Sequence, residues 1–189
     1  MVISADQVKQ LREKTGAGIM DSKRALQETN GDMSKAESLL KQQGLAKAGK
    51  KGGREALQGV VESYIHGGGR IGALVEVNCE TDFVARTADF KSIARDVAMQ
   101  VAAMSPKYVS IEDVPAEAWS QLEADFGSRD EAAKAVVLLE QAFIRDSKTA
   151  IKDLVREGIA KLGENIQVTR FSRFELGTDR PAAETTADA

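Results

Sequence analysis

The residue types on which most enzyme chemistry depends are scarce in this sequence. The 189 residues include one cysteine, Cys79, and one histidine, His66, so the chain can form neither an internal disulfide nor a site built from several histidines. The run His66-Gly-Gly-Gly69 resembles the oxyanion loop of esterases, but there is no Gly-x-Ser-x-Gly elbow and no second histidine to act as a base. We therefore predict a tight turn at this run, no catalytic residue, no metal site and no cofactor.

A second glycine-rich stretch comes close to the pattern of a phosphate-binding loop. The run Gly44-Leu-Ala-Lys-Ala-Gly49-Lys50 fits most of that pattern, but Lys51 stands where a serine or threonine would contact Mg²⁺. A phosphate-binding loop also follows a buried strand, whereas this run follows a predicted helix. We interpret the match as fortuitous and the stretch as a basic linker or a frayed helix end.

The charge of the chain changes sign at this linker. Residues 1–54 carry 11 lysines and arginines against 6 acidic residues, whereas residues 55–189 carry 15 against 23. We predict a boundary here between an N-terminal unit of residues 1–54, which includes the linker, and a core of residues 55–177. Residues 178–189 contain no large apolar side chain that could anchor them, so we expect a disordered tail.

The distribution of apolar residues excludes a membrane protein. No apolar run approaches the roughly 18 residues that are needed to cross a bilayer. The N-terminus also lacks a basic segment followed by a long apolar one, so no secretory signal is predicted. We expect a cytoplasmic protein.

The first 44 residues are predicted to form a three-helix bundle. Ser4 and Gln7 have the spacing of a capping box before the first helix, and glycines at positions 16 and 18 separate it from the second. Asp32 can cap a third helix, for which Gly44 is the predicted end. A bundle this small buries little apolar surface, so its exposed hydrophobic residues are candidates for partner contact.

The remainder of the chain predicts an α+β fold. Residues 59–66 and 70–79 have the composition of two strands joined by a glycine turn. Helices are predicted over residues 89–104, 117–144 and 147–162, the last capped by Ser147 and closed by Gly163, and residues 166–176 are predicted to form a final strand.

The segment between the hairpin and the next helix is the strongest candidate for function. It reads Glu80-Thr-Asp-Phe-Val-Ala-Arg86 and places an acidic residue beside a large aromatic one in a loop. In the alternative interpretation, Thr81 or Asp82 caps the following helix while Phe83 packs inward. Spacing alone favours this alternative but does not settle the question.

Several motifs in order resemble one family. They are Leu11-Arg-Glu-Lys-Thr-Gly-Ala-Gly-Ile-Met-Asp21, Glu76-Val-Asn-Cys-Glu-Thr-Asp-Phe-Val-Ala-Arg86, Ile159-Ala-Lys-Leu-Gly-Glu-Asn-Ile166 and Arg173-Phe-Glu-Leu-Gly177. Through them the chain resembles bacterial translation elongation factor Ts, the nucleotide-exchange partner of elongation factor Tu, over nearly everything except the tail.

The resemblance implies a guanine nucleotide exchange factor that performs no covalent chemistry. It would bind elongation factor Tu in the GDP-bound and the nucleotide-free forms. The implied fold is a ubiquitin-associated-like three-helix bundle followed by a core with a three-stranded antiparallel sheet packed against helices. With 189 residues the chain has room for one core, which is similar to the short form that pairs with itself, so a homodimer is implied. Ser172 stands in the last predicted strand, so a dimer would be non-covalent there.

The resemblance also implies two sets of partner-binding residues. Ile19 and Met20 would contact the G domain of elongation factor Tu from the N-terminal bundle. The second set would disturb the Mg²⁺ and phosphate site of elongation factor Tu, and it consists of Thr81, Asp82, Phe83 and Val84.

Two other functional classes stay open. One is an adaptor that binds helical peptides or ubiquitin-like folds through Ile19 and Met20. The other is an RNA-associated protein that would use the basic linker residues Lys47, Lys50, Lys51 and Arg54. The acidic larger part of the chain argues against this second class, so we expect no direct contact with nucleic acid.

Overall fold

The predicted α+β arrangement of helices and a small sheet is confirmed. The computed structural model describes residues 3–178, except for the side chains of residues 45 and 47. Residues 179–189, most of the predicted disordered tail, lie outside the described residues. The elements in chain order are α1 (Ala5–Thr15), α2 (Ile19–Glu28), α3 (Met33–Gly49), β1 (Gln58–His66), β2 (Ile71–Cys79), α4 (Asp82–Ala85), α5 (Ala88–Met104), α6 (Ala118–Phe126), α7 (Arg129–Val136), β3 (Ala142–Phe143), β4 (Asp146–Ala150), α8 (Ile151–Leu162) and β5 (Ile166–Glu175).

Local capping starts α1 and α3 and ends α1 as predicted. The Ser4 hydroxyl accepts a hydrogen bond from the backbone N–H of Gln7, whose side chain in turn accepts one from the Ser4 N–H. Gly16, with φ of 69°, ends α1 in the left-handed region that glycine favours. The Asp32 carboxylate accepts the Lys35 N–H at 3.0 Å and so caps α3. The three helices enclose their own apolar cluster, formed by Leu11, Ala25, Leu26, Ala36 and Leu40.

The third helix is longer than predicted, because it packs on the rest of the protein. Gly44 does not end α3, which continues to Gly49. Gly44 instead lies against Ala160 of α8, and the Lys41 ammonium is 2.7 Å from the Glu157 carboxylate of the same helix. Packing against α8 offsets the low helix propensity of glycine, so the first half of the predicted linker is helical.

Three antiparallel strands form the main sheet in the order β1, β2, β5. Gly67, Gly68 and Gly69 all have positive φ in the turn between β1 and β2, which confirms the predicted glycine turn of the hairpin. β2 pairs with β5 so that Cys79 lies opposite Ile166. Helices α5 and α8 contribute to the core on one face of the sheet, with Val75, Val77, Phe90, Val97 and Ile159 buried there.

Two of the predicted helices between residues 117 and 162 are wrong in extent. The helix predicted over residues 117–144 is divided into α6 and α7 by Gly127, with φ of 88°, and by Ser128, whose hydroxyl accepts the Glu131 N–H. A 3₁₀ turn and β3 follow. The next helix begins at Ile151, not at Ser147, which lies in the strand β4 paired with β3. Just before β4, the buried Gln100 side chain accepts the backbone N–H of Ile144 at 3.0 Å.

None of the helices in residues 3–178 is long and apolar enough to cross a membrane.

Candidate partner-binding site

Phe83 is the most exposed large hydrophobic residue in the part of the chain that the structure describes. Its side chain is 81% exposed. It lies in α4, a single helical turn between the end of β2 and the start of α5. A phenyl ring left in water forgoes the free energy of burial, and aromatic side chains in such positions are typical of contact sites for other proteins.

The residues around Phe83 anchor the turn while leaving the ring outside. Thr81 precedes α4 with extended backbone geometry, and its hydroxyl accepts the Val84 N–H at 3.4 Å. Val84 is half-buried against the main core and Ala85 is buried in it. The predicted capping by Thr81 is therefore confirmed, whereas the alternative in which Phe83 packs inward is wrong.

Asp82 presents its carboxylate beside Phe83. The carboxylate lies 2.8 Å from the Arg86 guanidinium, one helical turn further on; the Arg86 side chain is largely exposed and that of Asp82 about half exposed. An exposed pair of this kind stabilises a protein by less than about 1 kcal/mol. Asp82 can therefore exchange Arg86 for a hydrogen-bond donor on another protein at little cost.

A loop distant in sequence holds the base of the turn. Glu164, between α8 and β5, accepts the Thr81 N–H at 2.9 Å and the Thr81 hydroxyl at 2.6 Å. The N–H of its neighbour Asn165 donates to the Glu80 carboxylate at 2.7 Å. Neither Glu164 nor Asn165 was predicted from the sequence to take part in this site. The sequence indicates only that these two polar residues lie between Gly163, which ends a helix, and the start of a strand.

Cys79 lies directly behind this turn and is a packing residue. It is fully buried, and its thiol donates to the Thr81 carbonyl at 3.1 Å. Burial raises the pKa of the Cys79 thiol, and the nearby negative charge of Glu164 acts in the same direction. The thiol is therefore kept protonated, which disfavours a nucleophilic or redox role.

Ile19 and Met20 form a second group of exposed apolar side chains, on the N-terminal helices. They occupy the first two positions of α2 and are 58% and 67% exposed. Ile19 also lines a shallow groove between α1 and α2 whose rim carries positive charge. The groove is lined by Ile3, Val8, Lys9, Arg12, Ile19 and Lys23, among others.

The structure thus places the predicted residues in two groups. Thr81, Asp82, Phe83 and Val84 share one turn on the main core, whereas Ile19 and Met20 belong to the helices around the N-terminal cluster.

The basic linker residues that the RNA interpretation would use are partly engaged within the chain. The Lys51 ammonium donates to the Gly163 carbonyl, and the Arg54 guanidinium lies 3.5 Å from the Glu80 carboxylate. The Lys47 side chain lies outside the described part. Within residues 3–178, no three histidine, cysteine, aspartate or glutamate side chains are grouped to hold a metal ion.

The fold is that of an α+β protein with exposed apolar side chains both on the core and on the N-terminal helices, an arrangement typical of proteins that bind other proteins. The family described as elongation factor TS matches residues 51–132. A protein named elongation factor Ts from Carboxydothermus hydrogenoformans is 55% identical over 93% of this chain and 90% of its own length. Relatives of the same name from Syntrophomonas wolfei and Coprothermobacter proteolyticus are 52% and 50% identical, over 91% and 100% of their lengths. The chain belongs to the elongation factor Ts family.

Proposed function

We propose that this protein is a guanine nucleotide exchange factor for elongation factor Tu. The observation that carries the proposal is the exposed Phe83 on a turn anchored in the core, at the position where the resemblance to the family implies contact with the nucleotide site. The protein would accelerate GDP release and perform no bond-making chemistry. Membership of the elongation factor Ts family supports the general role.

The mechanism that we propose acts on Mg²⁺ and phosphate without touching the nucleotide. GDP is held in a G domain by backbone contacts to its phosphates and by a Mg²⁺ ion that bridges phosphate and hydroxyl oxygens. Phe83 would act as an apolar wedge between helices of the G domain, with Asp82 hydrogen-bonded beside it. Thr81 and Val84 would support the wedge from behind, since both are partly buried.

Thermodynamic linkage gives this mechanism a required consequence. If the exchange factor weakens GDP binding by some factor, then GDP weakens binding of the exchange factor by the same factor. Exchange then proceeds through a ternary complex, and the nucleotide-free form of elongation factor Tu binds the exchange factor more tightly than the GDP form does.

The N-terminal helices are proposed to make the second contact, through Ile19 and Met20, as a ubiquitin-associated-like module. Their exposure and the basic side chains of the neighbouring groove support this role. Long-range attraction to an acidic patch would speed association and would be screened by salt. Association rates at two salt concentrations, for the parental chain and Lys23→Gln, would measure this contribution. The division into an N-terminal unit and a core at residue 54 stays a prediction.

A homodimer is proposed on the outer face of the sheet. This face, opposite the core, carries a group of exposed apolar side chains, which are Val61, Ile65, Leu74, Phe174 and Leu176. The patch spans all three strands and continues just past the end of β5. A second copy of the chain, presenting the same patch, would cover it without a disulfide.

The test is GDP release from elongation factor Tu with and without this protein. We expect strong acceleration, which Phe83→Ala reduces at least about 30-fold. A folded chain that does not accelerate release would remove the proposal and favour an adaptor that binds helical peptides or ubiquitin-like folds through Ile19 and Met20.

A further inference from the structure

We propose that Glu164 is a positioning residue that fixes the orientation of Phe83 by holding Thr81. This inference rests on the exchange function proposed above and deepens it. Glu164 lies between α8 and β5, and its half-buried side chain makes two hydrogen bonds to a single residue of the exposed turn.

The turn that carries Phe83 cannot fix its own geometry. α4 comprises four residues, Asp82–Ala85, whereas isolated helices shorter than about 12 residues are marginal in water. The Phe83 ring, being exposed, gains little from packing that could orient it. Val84 and Ala85 hold α4 on the core, and the direction in which the ring points then depends on how the residues on either side orient α4.

On the C-terminal side, the constraint comes from Thr87. Its hydroxyl donates to the Val84 carbonyl at 2.8 Å and accepts the Phe90 N–H at 3.2 Å, which ties α4 to the start of α5. Both bonds join residues that are three positions apart in sequence, and they fix only the C-terminal end of the turn.

On the N-terminal side, the constraint comes from Glu164. One carboxylate oxygen accepts the Thr81 hydroxyl at 2.6 Å and the other accepts the Thr81 N–H at 2.9 Å. Two charge-assisted bonds to one residue fix both its backbone and its side-chain rotamer. The hydroxyl proton is directed to Glu164, so a lone pair of the Thr81 oxygen remains aimed at the Val84 N–H.

The loop that carries Glu164 is itself held firmly. Next to it, the buried Asn165 donates its side-chain amide to the Arg54 carbonyl at 2.6 Å and its backbone N–H to Glu80 at 2.7 Å. The pairing of Cys79 with Ile166 keeps this loop beside the end of β2. Glu164 is thus a fixed support, and Thr81 is the residue that it holds.

Two different sets of residues therefore anchor the turn in the core and orient the Phe83 ring. Without Glu164, the core residues Val84 and Ala85 would still anchor the turn, and the fold would persist. Phe83 would occupy several orientations, and the fraction of molecules competent to insert it would fall. Exchange would slow in proportion to that fraction, by about tenfold when the loss equals one hydrogen bond to a charged group and the other orientations then predominate.

The experiment compares GDP release stimulated by the parental chain, Glu164→Ala, Glu164→Gln and Asp89→Asn. Glu164→Ala is expected to slow release about tenfold. Glu164→Gln can still accept the Thr81 N–H and donate to the Thr81 oxygen, so it should stay within about threefold of the parental chain. Asp89→Asn is the control, because it neutralises an exposed carboxylate that pairs with Lys161 and makes no hydrogen bond to Thr81, and it should leave the rate unchanged.

Two further readouts separate positioning from a loss of fold. Hydrogen exchange of the Thr81 and Val84 amides should become faster in Glu164→Ala, while the amides of β2 stay protected. In a Phe83→Ala background, Glu164→Ala should slow GDP release no further, because it acts through Phe83. If Glu164→Ala does not fold, Glu164→Asp serves in its place, since a side chain one methylene shorter cannot make both bonds.

The outcomes distinguish this inference from the function on which it rests. If the parental chain accelerates release and Phe83→Ala does so far more weakly, but Glu164→Ala retains the parental rate, only the positioning role is overturned. The same holds if Glu164→Ala slows the Phe83→Ala variant as much as it slows the parental chain. A parental chain that fails to accelerate release overturns the exchange function, and the positioning role with it.

Discussion

Gly44 of α3 lies so close to α8 that a Cβ atom added to it would be 3.0 Å from the Cβ of Ala160. The ion pair between Lys41 and Glu157 crosses the same boundary. The N-terminal helices are therefore joined to the core by direct helix packing, in addition to the chain connection. Ile19, on the N-terminal helices, and Phe83, on the core, therefore lie on two parts of the protein that are in direct contact.

A side chain at position 44 has no room between the two helices, so it should push α3 away from α8. We expect Gly44→Leu to destabilise the protein by about 1–3 kcal/mol, the usual cost of overpacking, and to increase its radius of gyration. Urea unfolding and small-angle X-ray scattering would measure the two effects. Gly49→Leu is the matched control, because a Cβ at Gly49 would meet nothing within 4 Å. Equal unfolding free energies for the two variants would contradict the close packing.

The raised pKa of Cys79 predicts a loss of stability at alkaline pH. The thiol is protonated in the folded protein at pH values where the unfolded chain, with a pKa near 9.0, already ionises. The stabilisation is therefore fully present below that pH and is lost as the pH rises through the folded-state pKa. We expect the difference in unfolding free energy between the parental chain and Cys79→Ala to shrink from about pH 8 to about pH 10. A difference that is constant or grows over this range would contradict burial of a neutral thiol.

A buried pair of amide side chains should account for much of the stability around β3. Gln100 donates to the Gln141 side chain and to the Ala142 carbonyl, both at 3.1 Å, and accepts the Ile144 N–H at 3.0 Å. Gln100→Met keeps the volume but leaves these groups unpaired, so we expect a loss of about 2–3 kcal/mol in urea unfolding.

The control for this substitution is Gln42→Met on the exposed face of α3, which should change the unfolding free energy by less than about 0.5 kcal/mol. If both variants lose the same amount, the buried amide network contributes nothing specific.

The outer face of the sheet should determine the oligomeric state. Phe174→Glu places a charge in the middle of the proposed contact between two copies, where it would be desolvated, so we expect it to produce monomers. Sedimentation velocity on the parental chain and the variant would show the shift. Phe126→Glu, an equally drastic change on the exposed surface of α6, should leave the dimer intact. A parental chain that sediments as a monomer at high concentration would remove the dimer proposal.

Features encoded within a few residues could be predicted from the sequence. The capping box of Ser4 and Gln7, the glycine turn after His66 and the cap at Thr81 each depend on contacts between near neighbours. The position of Phe83 as a candidate site also came from its local sequence, although spacing alone could not decide whether the ring pointed in or out.

Features that depend on distant contacts could not be predicted in the same way. A glycine such as Gly44 is typical of a helix end. The helix continues through it because α3 packs there against Ala160 of α8, a contact that the local sequence does not indicate. Thr81 and Glu164 are 83 residues apart, and no periodicity relates them. Periodicity also failed at Gly127. The apolar pattern continues on both sides of this glycine, although α6 ends there.

The most direct test of the central claim measures release of a fluorescent GDP analogue from elongation factor Tu in the presence of Phe83→Ala. The matched control is Phe126→Ala, the same truncation of an exposed phenylalanine on α6. We expect Phe83→Ala to slow the stimulated release at least about 30-fold, which corresponds to a contact worth about 2 kcal/mol, while Phe126→Ala retains the parental rate. A folded Phe83→Ala protein that releases GDP as fast as the parental chain would contradict the claim that Phe83 is the wedge.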